Sequence, residues 1–358
     1  MTTERFEPTP FRPHPVLGNQ HVQTIWGTFF PRATRHAAWE ASAEAVSFDL
    51  PDGDRLHAIQ HVHPDDPGRT RPMLVLMHGL EGNQDSHYVR GMSLKAYQQG
   101  FHSIRLNYRG CAGPQTDARR LYNGHLIEDI DFVLRRLGEQ AAWPLVPVGV
   151  SLGANKLLRL LSTYGEAPPP GLMGAVAISP PIDFLQTNVA FKQGFNRLYD
   201  KFFLFKLKGK HRERLRIFRD DPAIVARSEL GLTAEWLEFY DELVTAPEGG
   251  FANAHDYYVR ASVGDGLAAI RVPTLILHAE DDPIIPMAMF LERAAMIAAN
   301  PALTVIYTPG GGHVGFMEPA HAQQPETWMD AFWAENQAVA YTRWLFARRE
   351  PTTARLAD

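Results

Sequence analysis

Short apolar runs and longer helical patterns alternate along most of this chain. Eight runs of apolar, often β-branched residues predict strands at Ala45–Asp49, Leu56–His63, Met73–Met77, His102–Asn107, Leu145–Val150, Gly174–Ser179, Thr274–Ala279 and Thr304–Thr308. Apolar residues at helical spacing predict helices at His87–Gln99, Leu126–Leu137, Gly153–Tyr164, Met287–Ala299 and Phe332–Arg348. This alternation predicts an α/β fold, with a mostly parallel eight-stranded sheet covered by helices on both faces.

A serine lies where one predicted strand turns into a helix. The sequence there is Gly149-Val150-Ser151-Leu152-Gly153. A serine on such a sharp strand-to-helix turn has its hydroxyl exposed above the sheet, and the flanking glycines leave room for the turn. The five-residue pattern alone occurs often by chance, so the flanking elements and the partner residues must decide its meaning.

A carboxylate and a histidine follow this serine in the order that a Ser–Asp–His triad takes in such a fold. Asp281 and Asp282 come directly after the strand Thr274–Ala279, and His313 lies in a glycine-rich loop after the strand Thr304–Thr308. The carboxyl ends of parallel strands meet at one edge of the sheet. We therefore expect Ser151, one of the two aspartates and His313 to converge there.

The chain resembles the α/β-hydrolase superfamily, and within it the YheT-like hydrolases and the related ABHD-type lipases. The resemblance spans roughly residues 14–346 and is carried by segments outside the serine turn as well. These segments are Asn19–Trp26, His78–Gly82, Asn107–Cys111, Tyr240–Pro247 and Asp256–Tyr258. It implies an α/β-hydrolase fold in which residues 1–183 and 263–358 form the core, and residues 184–262 form an inserted helical cap.

The resemblance also implies roles for individual residues. Ser151 is expected to be the nucleophile and His313 the general base and then the general acid. We prefer Asp282 over Asp281 as the carboxylate that orients His313, because the sequence from Asp282 to Pro286 matches the family's Asp-x-x-x-Pro pattern. The backbone N–H groups of Leu80 and Leu152 are expected to bind the oxyanion. His78 is expected to fix its loop by hydrogen bonds rather than to take part in catalysis.

The predicted cap is rich in aromatic residues and locally basic. Fourteen of residues 184–260 are Phe, Trp or Tyr, about 18% against 11% for the whole chain, which suggests an apolar roof over a substrate. Lys192–Arg219 contains ten Lys and Arg residues with Asp200 and Glu213 as its only acids. This stretch is expected to be a solvated helix face that covers apolar surface. The alternative is contact with an anionic lipid surface.

Composition narrows the function further. A net charge of −5 argues against nucleic acid as a partner, and the single Cys111 leaves no internal disulfide to form. No apolar run approaches the length of a membrane span, and the N-terminus lacks the pattern of a signal peptide, so a cytoplasmic protein is expected. His57, His61 and His63 share one face of a strand, but no carboxylate or cysteine completes a metal site, and they are expected to be solvated at a sheet edge. No dinucleotide- or triphosphate-binding loop is present, so no cofactor is expected.

These observations predict a serine hydrolase of short- to medium-chain acyl esters, a carboxylesterase or a lipase-like enzyme. An alternative is an alcohol O-acyltransferase that uses the same acyl-enzyme, since yeast relatives of the family include ethyl-ester synthases. A further alternative is a catalytically silent binding protein that has kept the fold. The expected partner is a small-molecule ester or a lipid, and the oligomeric state is left open.

Overall fold

The computed structural model of the chain describes residues 5–29, 35–140, 143–319 and 326–349, and a single eight-stranded sheet runs through them. The strands are β1 (Ala43–Asp49), β2 (Arg55–His61), β3 (Met73–Met77), β4 (His102–Leu106), β5 (Leu145–Val150), β6 (Ala175–Ile178), β7 (Thr274–Ala279) and β8 (Leu303–Thr308). Their order across the sheet is β1-β2-β4-β3-β5-β6-β7-β8. The pairs β1–β2 and β2–β4 are antiparallel and the other pairs are parallel. The predicted fold class is confirmed.

Helices lie before, between and after the strands. They are α1 (Gln20–Phe29), α2 (Ala37–Ala41), α3 (His87–Gln98), α4 (Glu128–Arg135), α5 (Leu152–Tyr164), α6 (Phe184–Phe191), α7 (Asn196–Ile217), α8 (Pro222–Thr233), α9 (Leu237–Tyr240), α10 (Ala246–Gly249), α11 (Ala254–Ala261), α12 (Ala288–Leu291), α13 (Ala294–Ala299) and α14 (Trp333–Arg349). None of the helices in this described part of the chain has the length and apolar character needed to cross a membrane.

The central strand β3 shows why the strands of this sheet are continuous apolar runs in the sequence. All five of its residues are buried, because helices cover both faces of the sheet. Met73, Val75 and Met77 belong to one core, together with residues of α4 and α5. Leu74 and Leu76 point to the opposite core, which includes residues of α3 and α14. The two-residue period of the strand thus divides one apolar run between two cores.

The helices α6 to α11 all lie between β6 and β7, and several of them contribute to a small separate core. This core is formed by Leu121 from the segment before α4 together with Leu204, Leu207, Ala234, Leu237, Tyr240 and Val244. The side chain of Asn155 joins the end of this helical region to α5, because it donates to the Ala261 carbonyl at 2.8 Å and accepts from the Val263 N–H at 3.0 Å. The limits of a separate cap at residues 184 and 262 stay a prediction.

A buried arginine joins three parts of the chain through hydrogen bonds. Arg109, directly after β4, binds Asp129 at the start of α4 through two hydrogen bonds of 2.7 and 2.8 Å. Its remaining terminal nitrogen donates to Asp52 and to Asp54 in the turn between β1 and β2, each at 2.7 Å. Arg109, Asp54 and Asp129 are all at most 4% exposed. The network fixes the loop after β4, which neighbours the loop after β3.

Two local predictions are wrong. The single helix expected at Met287–Ala299 is divided into α12 and α13, because the N–H of Arg293 bonds to the carbonyl of Phe290 three residues back, and the Arg293 side chain reaches Asp183 and Asp265 in other elements. The strand β2 that carries His57 and His61 is not an edge strand, since it lies between β1 and β4.

Candidate active site

Ser151 lies at the sharp turn between β5 and α5. Its φ of 54° falls in the left-handed region, which places the residue outside both the strand and the helix. A Cβ on Gly149 would lie 2.5 Å from the Gly153 carbonyl oxygen, and a Cβ on Gly153 would lie 2.6 Å from the His78 carbonyl oxygen. Only glycine at these two positions lets the backbone pack this closely, so the turn requires both.

The imidazole of His313 lies between Ser151 and Asp282. Its Nε2 is 2.9 Å from the Ser151 hydroxyl oxygen, and its Nδ1 is 2.8 Å from Oδ2 of Asp282. The other carboxylate oxygen of Asp282 accepts from the N–H groups of Ile284 and Ile285, each at 2.9 Å. The structure thus brings together the three residues that the sequence placed after three different strands. This arrangement lets the serine proton move to Nε2 while the carboxylate holds Nδ1 protonated.

The environment of Asp282 favours its charged form. Burial by itself would raise the pKa of this carboxyl group. The neighbouring imidazoles of His313 and His278 and the hydrogen bonds that it accepts outweigh burial, and the pKa is lowered from its ordinary value. Asp281, by contrast, accepts from the Gly312 N–H at 2.8 Å, and burial raises its pKa. Asp281 therefore supports the histidine loop and does not contact the imidazole.

Leu80 and Leu152 lie beside Ser151 with their backbone N–H groups available. The N–H groups of the neighbours of Leu80 are engaged, since Gly79 donates to the Tyr88 hydroxyl at 3.0 Å and Glu81 donates to the Tyr122 hydroxyl at 2.8 Å. Among the described residues, the N–H groups of Leu80 and Leu152 have no acceptor. Both residues line the cavity that contains Ser151 and His313. Two unengaged donors beside a serine hydroxyl can bind an anionic oxygen.

His78 is buried and fixes the loop after β3. Its Nδ1 lies 2.7 Å from the Gly79 carbonyl oxygen, and its Nε2 accepts from the Tyr108 N–H at 3.3 Å. Burial lowers the pKa of His78 to about 3, so the ring is neutral and donates from Nδ1. These contacts agree with the role expected for His78.

The N-terminal helix α1 supports the histidine loop, a role that was not predicted from the sequence. The hydroxyl of Thr24 accepts from the His313 N–H at 2.9 Å. The side chain of Gln23 pairs with the backbone of Met317 through hydrogen bonds of 2.7 and 3.2 Å. Both residues fall within the segment Asn19–Trp26 that carries the family resemblance. That resemblance was the feature of the sequence from which a role near the active site could have been predicted.

Other residues singled out in the sequence lie apart from Ser151. His57 pairs with Asp117 at 2.9 Å, while His61 is buried against Trp39 and Ser42. The backbone N–H of His63 donates to His102 at 2.9 Å. Cys111 lies 3.2 Å from Nζ of Lys210, and burial raises the pKa of its thiol.

Two cavities meet at Ser151 and His313. The narrow cavity has a volume of 130 Å³ and lies beneath the helices between β6 and β7. Its apolar lining includes Phe184, Phe191, Phe203, Leu207 and Leu237. The wide cleft has a volume of 660 Å³ and is lined by residues of α1, α3 and α7, with charged groups at Asp85, Arg90 and Lys206.

Asp241 places a carboxyl group in the largely apolar lining of the narrow cavity, which also includes Glu81 and Lys210. Asp241 accepts from the hydroxyls of Thr245 at 2.7 Å and Tyr258 at 2.8 Å. Burial raises the pKa of Asp241 to about 6. This carboxyl group is therefore protonated more readily than an exposed one, and its uncharged form suits an apolar cavity.

The chain is similar to known hydrolases in sequence and in fold. Residues 74–331 match the model of the family described as "Alpha/beta hydrolase family". The chain is 30% identical over 323 residues to YheT of Escherichia coli (strain K12), for which an esterase activity has been suggested, covering 90% of this chain and 91% of YheT. It is 28% identical over 345 residues to the monoacylglycerol lipase of Saccharomyces cerevisiae, covering 85% and 75% of the two chains.

A solved structure gives the same fold. The esterase Pf2001 of Pyrococcus furiosus superposes with a TM-score of 0.53 at 16% identity, over 88% of this chain and 98% of that one. The match of the family model over most of the chain and the similarity to YheT along nearly its whole length decide the family. The chain belongs to the alpha/beta hydrolase family.

Proposed function

We propose that the protein is a serine hydrolase of carboxylic esters, with Ser151 as nucleophile, His313 as general base and Asp282 as the carboxylate that orients it. The observation that carries this proposal is the pair of hydrogen bonds, 2.9 and 2.8 Å long, that joins the serine hydroxyl through one imidazole to a buried carboxylate. The relatives named as lipase and esterase support the same reaction class.

The reaction follows from this geometry. His313 takes the hydroxyl proton as Ser151 Oγ bonds to the ester carbonyl carbon, and the N–H groups of Leu80 and Leu152 bind the oxyanion that forms. The imidazolium then gives its proton to the leaving alcohol as the ester C–O bond breaks. Water, deprotonated by the same histidine, then attacks the acyl carbon. The bond from that carbon to Ser151 Oγ breaks, Oγ takes the proton back from the imidazolium, and the carboxylic acid leaves.

The two cavities divide the substrate between them. We assign the acyl chain to the narrow cavity, because its lining is largely apolar and its small volume favours short to medium chains. We assign the alcohol part of the ester to the wide cleft, which has more room and carries charged groups. In this proposal residues 184–262 act as a cap, since helices of that segment roof the narrow cavity.

The test is hydrolysis of p-nitrophenyl esters with two to sixteen carbons by the wild type and by Ser151→Ala. We expect turnover with an optimum at short to medium chains, and its loss in the variant. Labelling with a fluorophosphonate probe is measured in parallel, because only an activated serine reacts. An unlabelled, inactive wild type would favour the alternative of a silent binding protein.

Acyl transfer to an alcohol is the second candidate. The wide cleft opens beside the same Ser151 that would carry the acyl group, so an alcohol can enter where water enters. Product analysis by mass spectrometry, with ethanol or glycerol added at rising concentration, separates the two activities. An ester product that forms faster than the free acid at modest alcohol concentration would identify a transferase.

We also propose that α7 contacts an anionic lipid surface. Phe195, directly before α7, and Leu198 and Phe205 on it are 45%, 59% and 68% exposed and recur at helical spacing on one side. Phe195 and Leu198 line the wide cleft, and Lys201, Lys208 and Arg212 lie on the same helix. Apolar side chains beside basic ones are suited to bind at a bilayer of negative charge.

Vesicle binding tests this contact. Co-sedimentation with phosphatidylcholine vesicles is compared with vesicles that also contain phosphatidylglycerol, at low and high salt. We expect binding to the anionic vesicles that salt weakens and that the double variant Phe205→Ser/Lys208→Glu loses. Leu291→Ser, an equally exposed apolar residue on α12, is the matched control and should bind like the wild type. Equal binding by both variants would refute the contact.

A further inference from the structure

Glu81 occupies an unusual position in the loop after β3. Its φ of 55° lies in the left-handed region, which residues other than glycine seldom adopt. Its neighbour Leu80 carries one of the two N–H groups that have no acceptor among the described residues and that we propose bind the oxyanion. A strained backbone persists only where surrounding contacts hold it in place. The contacts of Glu81 therefore bear on the direction of the Leu80 N–H.

Glu81 is held through its N–H, its carbonyl and its side chain. The N–H donates to the Tyr122 hydroxyl at 2.8 Å, and that hydroxyl donates to Oε1 of Glu81 at 2.9 Å. The ammonium group of Lys210 donates to the same Oε1 at 2.7 Å, and that of Lys206 donates to the Glu81 carbonyl at 2.7 Å.

Both lysines belong to α7, where they lie one turn apart, whereas Tyr122 belongs to the segment before α4. The helical region between β6 and β7 thus reaches the loop after β3 directly.

The pair of Glu81 and Lys210 is buried. Their side chains are 3% and 14% exposed. Burial acts to lower the pKa of Lys210, but Cys111 and Glu81 beside it raise the pKa above its ordinary value, so the lysine stays charged. An ion pair with little solvent around it holds a fixed geometry better than an exposed pair, since water does not compete for its hydrogen bonds.

We propose that Glu81 and Lys210 are positioning residues that couple α7 to the oxyanion-binding N–H of Leu80. This inference rests on the proposed function. Lys210 holds the Glu81 carboxylate, Glu81 fixes the loop, and the loop aims the Leu80 N–H at the place where the oxyanion forms. Neither side chain touches the reacting atoms. Because a donor that is aimed at the transition state stabilises it more than the bound ester, their loss lowers kcat more than it raises KM.

The test compares Lys210→Met, Glu81→Gln and the double variant with the wild type. We expect kcat for a short p-nitrophenyl ester to fall by about 10- to 100-fold in each single variant, with KM changed by less than about threefold. The affinity for a trifluoromethyl ketone, which forms an oxyanion on the serine, should fall by the same factor as kcat. The double variant should lose no more than the worse single variant, because the two residues act as one unit.

Arg216→Met is the control, since it removes a positive charge from an exposed position on the same helix. Melting temperatures are recorded for every variant. If Lys210→Met does not fold, the double variant replaces it, because it leaves no buried carboxylate without a partner. The proposal would be overturned if Lys210→Met had a kcat and an inhibitor affinity within twofold of those of Arg216→Met, or if its melting temperature alone changed.

The wild type and Ser151→Ala accompany these measurements. A wild type that neither reacts with fluorophosphonate nor turns over esters would refute the proposed function and this inference with it. If the wild type is active and the Lys210 and Glu81 variants keep its kcat and inhibitor affinity, only the coupling of α7 to the Leu80 N–H is refuted.

Discussion

Asp282 and His313 share a hydrogen bond of 2.8 Å between a carboxylate oxygen and Nδ1, and the second oxygen of Asp282 is held by two backbone N–H groups. The adjacent Asp281 turns the other way and accepts from Gly312, one residue before the histidine. Two neighbouring carboxylates therefore serve different parts of one site. The first contacts the imidazole, and the second holds the loop that carries it.

Replacing each aspartate by asparagine should separate these parts. Asp282→Asn keeps the shape of the side chain but removes the charge, and its amide can present an N–H to Nδ1, which favours the wrong tautomer. We expect kcat to fall by about 10³- to 10⁴-fold. Asp281→Asn can still accept from Gly312, and we expect a loss of less than about tenfold. Steady-state kinetics on a short ester measure both. A larger loss for Asp281→Asn would reverse the assignment.

Gly153→Ala should damage the turn that presents Ser151. The new Cβ would lie 2.6 Å from the His78 carbonyl oxygen and 3.0 Å from that of Met77, and neither backbone group can move cheaply. We expect a loss of about 1 to 3 kcal/mol in the free energy of unfolding and a lower kcat, because the loop after β3 must shift. Gly209→Ala on α7 is the control, since its Cβ meets no atom within 4 Å. It should stabilise the protein by about 0.5 to 1 kcal/mol, measured by urea denaturation.

Arg109→Met should destabilise the protein strongly, although Arg109 lines neither of the two cavities at Ser151. The change leaves the buried carboxylates of Asp54 and Asp129 without the guanidinium group that they bind, and breaking such a pair costs about 3 to 5 kcal/mol. Arg55→Met removes the exposed pair with Asp49 and should cost less than about 1 kcal/mol. Chemical denaturation of both variants checks the difference. Equal losses would mean that the buried network contributes no more than a surface pair.

The features that the sequence predicted are those encoded locally. Strand bounds agree with the structure within two residues, because each buried strand is a short apolar run between turn residues. The order of Ser151, Asp282 and His313 follows from the order of the strands that precede them. The contacts of Glu81 with Lys206 and Lys210 join residues more than a hundred positions apart. The periodicity of apolar residues in the sequence does not predict such a pairing. The break between α12 and α13 escaped prediction for the same reason, since distant acids bind Arg293 there.

The buried carboxyl group of Asp241 should make stability depend on pH. Its pKa is raised to about 6 in the folded protein, whereas an unfolded chain has a value near 4. Between about pH 4 and pH 6 the unfolded state releases this proton and the folded state keeps it, so the free energy of unfolding falls as pH rises. The total loss is about 2 to 3 kcal/mol and is complete above about pH 7. Below pH 4 both states are protonated and Asp241 contributes no slope.

Asp241→Asn should remove this slope, because its amide is neutral at every pH and the hydroxyls of Thr245 and Tyr258 can turn to meet it. Urea denaturation of the wild type and the variant at pH 4, 5, 6 and 8 gives the difference in stability, in which the other titrating groups cancel. We expect the variant to become more stable relative to the wild type as pH rises. Asp220→Asn, whose side chain is fully exposed, should show a flat difference. A flat difference for Asp241→Asn as well would mean that Asp241 is ionised in the folded protein throughout, and that the narrow cavity holds enough water to solvate a charge.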